Sequence, residues 1–297
     1  MSNLKAKPPE ETKPGKTKML VFGASGVGKT IFSISFGKSP YVIDTEGGAD
    51  LRHYQEKIKS VGGVYLGPQD GALDFDFVIG QMKALSTEKH EFGTLVIDSI
   101  TKLYQTCIAN EAERLGDKDA FGASKKPAIA NMRRLVNWMM KLDMNILLVA
   151  HEASEWGVDA KTGQRQEIGK IADVWDKLIY ELDLTLQAVK RGPARLAVVR
   201  KSRLTGFPDG ETFPLDYAEF ASRYGKDFIE SKHEIITLAK PEQVQEISRL
   251  TGILKTDPET VQKWLTKAGA ENFSEFTEAQ AAAVIKSLNK TLNPDAK

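Results

Sequence analysis

The stretch Gly23-Ala24-Ser25-Gly26-Val27-Gly28-Lys29-Thr30 decides how this chain folds, because it fits the pattern G-x-x-x-x-G-K-[ST]. An apolar run over 18–22 precedes it and predicts a buried strand, and a helix is predicted from residue 29 to about 36. In this context the glycines let backbone N–H groups surround phosphate oxygens, and the helix N-terminus adds a favourable dipole. A chance glycine-rich turn, the alternative, needs neither the strand nor the helix.

The motif therefore predicts a binding site for ATP with Mg²⁺ as its cofactors. We expect the backbone of the whole stretch from Gly23 to Thr30 to hold the phosphates. The Lys29 ammonium should reach the β- and γ-phosphates, and the Thr30 hydroxyl should coordinate Mg²⁺.

Working outward, apolar runs that predict strands alternate with segments of helical spacing. Further strands are predicted over 41–43, 94–98, 145–150, 182–189 and 196–199, and helices over 73–85 and 127–141. Such alternation is typical of an α/β fold with a mostly parallel sheet that helices flank on both faces. The last two strands are expected to pair antiparallel. In folds of this class, ligands bind beyond the carboxyl ends of the strands.

Four regions are expected along the chain. Residues 1–17 are predicted to be a disordered arm, because they contain almost nothing to bury. The ATP-binding core is predicted over 18–235 and a small helical domain over 236–289, followed by a tail over 290–297. Three short amphipathic helices are predicted in the helical domain, over 241–251, 258–268 and 277–288.

Composition narrows the class of protein. The 297 residues carry a formal net charge of +1, so the overall charge argues neither for nor against a nucleic-acid partner. Cys107 is the single cysteine, which excludes a disulfide within the chain and a metal site built from cysteines. No signal-peptide pattern and no membrane-spanning apolar run is visible, so we expect a cytoplasmic protein.

Three side chains at predicted strand ends are candidates for the chemistry. Asp98 ends the apolar run over 94–98, where a carboxylate can hold Mg²⁺; the alternative is a helix cap. Glu46 follows the strand over 41–43 and could polarise an attacking water, or it is an ordinary acidic turn residue. His151 ends the strand over 145–150 and should face the γ-phosphate, although a lone histidine is often structural.

A basic stretch follows later in the chain and contains no acidic residue. Its six cations are Lys190, Arg191, Arg195, Arg200, Lys201 and Arg203. They could contact phosphates, and the alternative is a solvated basic hairpin.

Taken together, these residues resemble the RecA/RadA family of recombination ATPases over residues 18–220. Tyr41-Val-Ile-Asp-Thr-Glu46 resembles the strand of that family that ends in the catalytic glutamate, and Leu95-Val-Ile-Asp98-Ser99 resembles its Walker B strand. The resemblance implies that Glu46 activates water and that Asp98 binds Mg²⁺. Leu148-Val-Ala-His151 resembles the strand whose last residue senses the γ-phosphate, which is a histidine in RadA-like members.

The same resemblance implies an oligomer. Arg200-Lys201-Ser202-Arg203-Leu204-Thr205-Gly206-Phe207 is similar to the Lys-Asn-Arg-Phe-Gly element of RadA, whose two basic residues reach the γ-phosphate of a neighbouring subunit. Lys201 and Arg203 would be those cations here. A homo-oligomer, either a ring or a filament, with active sites between subunits is therefore expected.

Two segments correspond to the DNA-binding loops of the family, and we expect both to be polar, mobile loops. The first spans 116–127 and the second 152–172. The candidate DNA-binding residues are Lys118, Lys125, Lys126, Lys161, Arg165 and Lys170. Because both segments also contain acids, plain surface loops are the alternative.

The compact core with a helical tail most resembles the phage RecA-like proteins of the Sak group. That resemblance implies an ATP-dependent protein of recombination or annealing, stimulated by single-stranded DNA. It also implies that the helical domain could engage a single-strand-binding protein in the cytoplasm of a bacterial host. Two other functions stay open: a RadA- or DnaB-like translocase, and a P-loop protein such as a scaffold or a small-molecule kinase that does not act on DNA.

Overall fold

The computed structural model of the chain describes residues 15–119, 122–159 and 162–292. The strands are β1 Lys18–Phe22, β2 Pro40–Asp44, β3 Val64–Leu66, β4 Thr94–Asp98, β5 Asn145–Ala150, β6 Glu152–Val158, β7 Arg165–Ala172, β8 Leu184–Arg191, β9 Ala194–Ser202 and β10 Thr212–Pro214. The α-helices are α1 Lys29–Ile34, α2 Arg52–Ser60, α3 Phe75–Thr87, α4 Ile100–Leu115, α5 Lys125–Lys141, α6 Leu178–Glu181, α7 Tyr217–Tyr224, α8 Lys226–Ile229, α9 Pro241–Ile253, α10 Pro258–Ala268 and α11 Glu278–Leu292.

Within the described residues, eight strands form one large sheet in the order β10-β9-β8-β1-β5-β4-β2-β3. All pairs from β8 to β3 are parallel, whereas β9 and β10 extend the sheet antiparallel. β1 and β5 are buried along their whole length, because helices cover both faces of the sheet. The predicted α/β class with a mostly parallel sheet is confirmed. This strand order places the carboxyl ends of β1, β5, β4 and β2 side by side.

Two apolar layers, one on each face of the sheet, hold the fold together. On one face α3 and α5 pack with residues such as Met82, Leu135 and Met139, all of which are fully buried. On the other face α1 and α7 pack around Phe36 and Phe220, whose rings meet edge to face at 4.9 Å. Full burial of one such side chain stabilises the fold by about 1.5–3 kcal/mol.

Helices α9, α10 and α11 surround a separate apolar cluster. Ile247, Leu250 and Phe276 are its fully buried centre. Polar contacts connect this helical region to α5 of the core: Arg134 Nε lies 2.8 Å from a carboxylate oxygen of Glu271. The predicted helical region is present, while the domain boundaries at residues 235 and 289 stay predictions.

Several sequence predictions are confirmed in their bounds and others are corrected. The strand over 145–150 and the helix over 258–268 match β5 and α10. The segment over 152–172 was expected to be a mobile loop, yet its described residues form an antiparallel ribbon of β6 and β7, because their backbone groups pair with each other. Much of the segment 116–127 is also ordered, since a 3₁₀ turn covers 116–118 and α5 begins at Lys125.

The ends of the core lie slightly outside the predicted limits. Lys16 and Thr17, which the sequence placed in a disordered arm, are buried. The Lys16 ammonium donates to the carbonyl of Ile229 at 3.1 Å, and Thr17 N donates to Asn145 Oδ1 at 3.2 Å. Helix α11 continues to Leu292, beyond the predicted start of the tail. Residues 1–14 and 293–297 lie outside the described residues.

Across the parts of the chain that the structure describes, no helix combines the length and apolar character that crossing a bilayer requires.

Candidate functional site

The phosphate-binding motif forms a loop between the carboxyl end of β1 and the start of α1. At two of its glycine positions, a residue with a side chain would be strained and would clash with a neighbour. At Gly23, φ is +150° and a Cβ atom would lie 2.4 Å from the carbonyl oxygen of Ala188 on β8. At Gly28, φ is +99° and a Cβ atom would lie 2.6 Å from Cδ of Arg195. Only glycine combines this backbone conformation with such close neighbours, so the loop depends on both.

Lys29 begins α1, and its side chain reaches back to the start of the loop. Its Nζ donates hydrogen bonds to the carbonyl oxygens of Gly23, at 2.7 Å, and Ala24, at 2.8 Å. Burial lowers the pKa of the ammonium, and the nearby carboxylates of Asp98, Glu46 and Glu152 oppose that effect. Phosphate oxygens would offer this cation stronger, charge-assisted hydrogen bonds than neutral carbonyls do.

Thr30 and Asp98 provide oxygen atoms suited to Mg²⁺. The Thr30 hydroxyl donates to Asp98 Oδ2 at 2.6 Å, which joins the start of α1 to the end of β4. Burial raises the pKa of Asp98 from 3.8 to about 6, with Asp44 and Glu46 adding to the increase, while the Thr30 hydrogen bond and Lys29 oppose it. A bound cation would offset this unfavourable burial of charge.

The oxygen atoms of Thr30 and Asp98 suit Mg²⁺ bound together with a nucleotide better than a metal ion that protein side chains alone coordinate. No group of three or more His, Cys, Asp or Glu side chains that could hold a metal is found in the described ranges. Mg²⁺ commonly needs only one or two protein oxygens, because nucleotide phosphates and water complete its coordination. Thr30 and Asp98 would therefore hold Mg²⁺ together with ATP, where the ion would neutralise phosphate charge.

Glu46, Ser99 and His151 meet beside this pair. His151 Nε2 lies 2.6 Å from Glu46 Oε1, and the buried Ser99 hydroxyl donates to the same oxygen at 2.5 Å. Asp98 is the residue next to Ser99, so the end of β4 holds both the Mg²⁺ candidate and a support for Glu46. Two polar contacts thus orient the carboxylate that the sequence made the candidate base.

Sequence reasoning missed the residues that shape the Glu46 turn. Asp44 is buried, and its Oδ1 accepts hydrogen bonds from the backbone N–H groups of Glu46, at 2.9 Å, and Gly47, at 3.0 Å. Its Oδ2 accepts a third bond from Ala49 N at 2.7 Å. An aspartate that begins such a turn is a recognisable local signal, so Asp44 could have been found from its place before Gly47.

Thr45 connects the end of β2 to the end of β4. Its N–H donates to the carbonyl of Asp98 at 2.7 Å. Its hydroxyl donates to the Ser99 carbonyl at 2.9 Å and accepts from Ser99 N at 2.8 Å. These long-range contacts keep the Glu46 turn at a constant position relative to Asp98.

These residues line one cleft of about 410 Å³. Its walls are Gly23, Ala24, Ser25, Gly26, Gly28, Lys29, Thr30, Glu46, Tyr54, Asp98, His151 and Glu152. Every predicted loop residue except Val27 lines it, and the Val27 side chain is buried in the core instead. Tyr54 and Glu152 are additions that the sequence did not indicate. The structure therefore brings together Glu46, Asp98, His151 and the loop.

Lys201 and Arg203 do not line this cleft. Lys201 lies opposite Thr185 near the start of β8, whereas the loop is at the carboxyl edge of the sheet. Its ammonium donates to the Leu182 carbonyl, and the Arg203 guanidinium donates to the Tyr180 carbonyl. Burial is the main cause that lowers the pKa of Lys201, and the positive charge of the neighbouring Arg203 lowers it further. Within one chain, these two cations cannot serve the nucleotide.

The candidate DNA-binding residues divide into two groups. Lys118 lies in the 3₁₀ turn, and Lys125 and Lys126 begin α5. On β7, the Arg165 guanidinium lies 5.0 Å from the ring centre of Trp156, and Lys170 Nζ lies 2.8 Å from a carboxylate oxygen of Glu167. The sixth candidate, Lys161, lies outside the described residues.

The AAA domain family matches residues 15–205, which is more than half of the chain. The matched range runs from the residues before β1 to the end of the β8–β9 hairpin and contains the whole cleft. No match was found among curated proteins. The match ends before the helices α9, α10 and α11. Its coverage, together with the loop and the Thr30–Asp98 pair, shows that this chain belongs to the AAA domain family of P-loop ATPases.

Proposed function

We propose that this ATPase hydrolyses ATP with Mg²⁺ in the cleft and couples hydrolysis to the binding of single-stranded DNA. The observation that carries the proposal is a direct connection within the chain. His151 contacts the candidate base Glu46, and the next residue, Glu152, begins the exposed β6–β7 ribbon. A ligand on the ribbon and a nucleotide in the cleft would therefore act on adjacent residues.

The cleft residues divide the chemistry between them. Glu46 accepts a proton from the attacking water, and Ser99 orients the carboxylate through its 2.5 Å hydrogen bond. His151 Nε2 contacts the same carboxylate oxygen of Glu46, and on this proposal it also senses the γ-phosphate. Lys29 stabilises charge that develops on the phosphate oxygens. ATP and Mg²⁺ supply the transferable phosphoryl group and the charge neutralisation it needs.

The ribbon has the chemistry of a surface that stacks nucleic-acid bases. Trp156 is 52% exposed and the neighbouring Val158 is 71% exposed, although both are large apolar side chains. Arg165 lies over the Trp156 ring, which places a cation beside an aromatic face. Aromatic side chains next to cations bind unpaired bases and their phosphates without strong sequence preference.

A set of hydrogen bonds connects the end of the ribbon nearest the sheet to the cleft. The N–H of His151 donates to Thr101 Oγ1 at 3.0 Å, and the Thr101 hydroxyl donates to the Asp173 carbonyl at 2.7 Å. Asp173 N in turn donates to the His151 carbonyl at 2.9 Å. Movement of His151 would therefore move the end of β7, which gives a physical route for coupling.

On the same proposal the protein is a RecA/RadA-like recombination or annealing ATPase of the phage Sak type, as the resemblance of the sequence implies. β8 is the neighbour of β1, the strand before the phosphate-binding loop. The antiparallel strands β9 and β10 extend the sheet beyond β8. Lys201 and Arg203 do not line their own cleft, and on this proposal they contact the γ-phosphate of a neighbouring subunit. On this proposal the protein acts as a homo-oligomer, either a ring or a filament.

The helical region offers a place for a protein partner. Trp264, Phe276 and Val284 line an apolar groove of about 320 Å³ between α10 and α11. We keep a single-strand-binding protein as the proposed partner of this region.

The decisive measurement is ATP turnover with and without single-stranded DNA at increasing protein concentration. We expect stimulation that rises with protein concentration, since active sites between subunits form only on assembly. Trp156→Ala should remove the stimulation and leave the DNA-independent rate unchanged. Phe228→Ala, which removes an exposed aromatic ring outside the ribbon, is the matched control.

Other outcomes separate the competing functions. Turnover that ignores DNA would refute the proposed coupling and favour a scaffold or a small-molecule enzyme. Displacement of a paired strand by a ring-shaped assembly would favour a translocase. Retained turnover in Lys29→Ala would contradict the assignment of the cleft itself.

A further inference from the structure

The tip of the β8–β9 hairpin carries cations that the proposed chemistry does not use. β8 runs parallel to β1, so the residues after Gln187, the partner of Phe22, lie at the same edge of the sheet as the phosphate-binding loop. Lys190 and Arg195 face each other across the hairpin at this edge. The basic stretch 190–203 is therefore divided between the two opposite ends of one hairpin.

Arg195 packs directly against the phosphate-binding loop. A Cβ atom at Gly28 would lie 2.6 Å from Cδ and 3.0 Å from Nε of Arg195. The side chain is exposed, and among the described residues no hydrogen bond or ion pair engages its guanidinium. Its aliphatic part is thus held by the loop while its charged, planar end stays available to a ligand.

The position of Arg195 relative to the sheet indicates which part of a nucleotide it would meet. Asp98 ends β4, Glu46 follows β2 and His151 follows β5. These three strands all lie on one side of β1. Arg195 is on β9, on the other side of β1, and it does not line the phosphate cleft. ATP with its γ-phosphate toward Glu46 must place its nucleoside at the opposite end of the loop, beside Arg195.

We propose that Arg195 binds the base of ATP by stacking its guanidinium on the aromatic ring system. A guanidinium is planar and weakly hydrated, so it stacks on aromatic faces more readily than an ammonium does. The contact to Gly28 fixes the stem of the side chain, which reduces the conformational freedom lost on binding. This inference rests on the proposed ATP site in the cleft.

The test compares ATP with inorganic tripolyphosphate, which has the phosphate chain but no base. Binding of both to the full-length protein is measured by calorimetry or by competition with a labelled nucleotide. Arg195→Ala should weaken ATP binding by about two- to fivefold, the range of an exposed cation–π contact, and leave tripolyphosphate binding unchanged. Arg195→Gln keeps the Cγ and Cδ atoms that pack on Gly28 and should lose as much ATP affinity as Arg195→Ala.

The possible outcomes are distinct. Equal weakening of ATP and tripolyphosphate would overturn the proposal, because Arg195 would then act on phosphates or on the loop. Unchanged ATP binding in Arg195→Ala, or full affinity in Arg195→Gln, would overturn it as well. Arg249→Ala, which removes an exposed arginine from α9, is the control and should bind both ligands normally. A wild-type protein that binds neither ligand would instead refute the proposed ATP site.

Discussion

Replacing Asp98 by asparagine should stabilise the nucleotide-free protein while it abolishes hydrolysis. The structure raises the pKa of this carboxyl from 3.8 to about 6, chiefly because desolvation at the end of β4 disfavours its charged form. A shift of about two pH units corresponds to roughly 3 kcal/mol, which is an upper limit for the destabilisation by the ionised group. The asparagine amide is neutral at every pH and its oxygen could still accept the Thr30 hydroxyl, so the variant avoids that destabilisation.

The sign of the effect follows from proton binding. Because the folded-state pKa is raised, the folded protein binds more protons than the unfolded chain between about pH 4 and pH 6. Wild-type stability is therefore highest below about pH 4 with respect to this group, and it falls as the pH rises through about 6. The advantage of Asp98→Asn should be small near pH 4 and complete near pH 8, where it amounts to roughly 5–10 °C in melting temperature.

The assay is thermal unfolding of both proteins with a chelator and without nucleotide, at about pH 4 and about pH 8. Asp209→Asn, at an exposed position, is the control and should show no comparable gain. Adding ATP with Mg²⁺ should stabilise the wild type more than the variant, since the variant lacks the charged Mg²⁺ ligand. A variant that melts at a lower temperature than the wild type at about pH 8 would refute the reasoning.

Three further substitutions test other parts of the site. Asp44→Ala should lower kcat by at least about tenfold and leave ATP affinity nearly intact, because three backbone N–H groups of the Glu46 turn lose their acceptor. Steady-state kinetics measures both quantities, and a loss of affinity proportionate to the loss of kcat would mean that the turn binds substrate instead. Gly28→Ala should abolish ATP binding, because alanine is strained at φ +99° and its Cβ would meet Arg195. Calorimetry measures this binding, and normal affinity would mean that the loop can rearrange. Arg203→Ala should reduce turnover at high protein concentration with little change in nucleotide affinity, and an equal loss of both would argue against action across a subunit boundary.

Much of the candidate site could be predicted because its signals are local. Lys29 and Thr30 belong to a contiguous motif, and Asp98 and His151 each end an apolar run that is long enough to be a buried strand. The carboxyl ends of parallel strands meet at one edge of a sheet. The approach of Glu46 to His151, at 2.6 Å, agrees with that geometric expectation.

The ribbon shows where local reading was insufficient. The segment 152–172 contains glycines and mixed charges, which are typical of loops, and its pairing partner is part of the same segment. Whether such residues form a ladder depends on the register between β6 and β7, and a register shift between Glu155 and Trp156 further hides the alternation of side chains. The exposed Trp156 therefore had no recognisable place in the sequence pattern.

By itself, the sequence determined the phosphate-binding loop, the positions of the main strands along the chain and the identity of the residues at their ends. These properties follow from backbone conformation and hydrophobic periodicity, which act over a few neighbouring residues. Only the tertiary structure decided that Ser99 supports Glu46 and that the basic stretch divides into Arg195 beside the loop and Lys201 at the far end of the hairpin. Those relations depend on which strands pair and in which register, and residues far apart in the chain set that together.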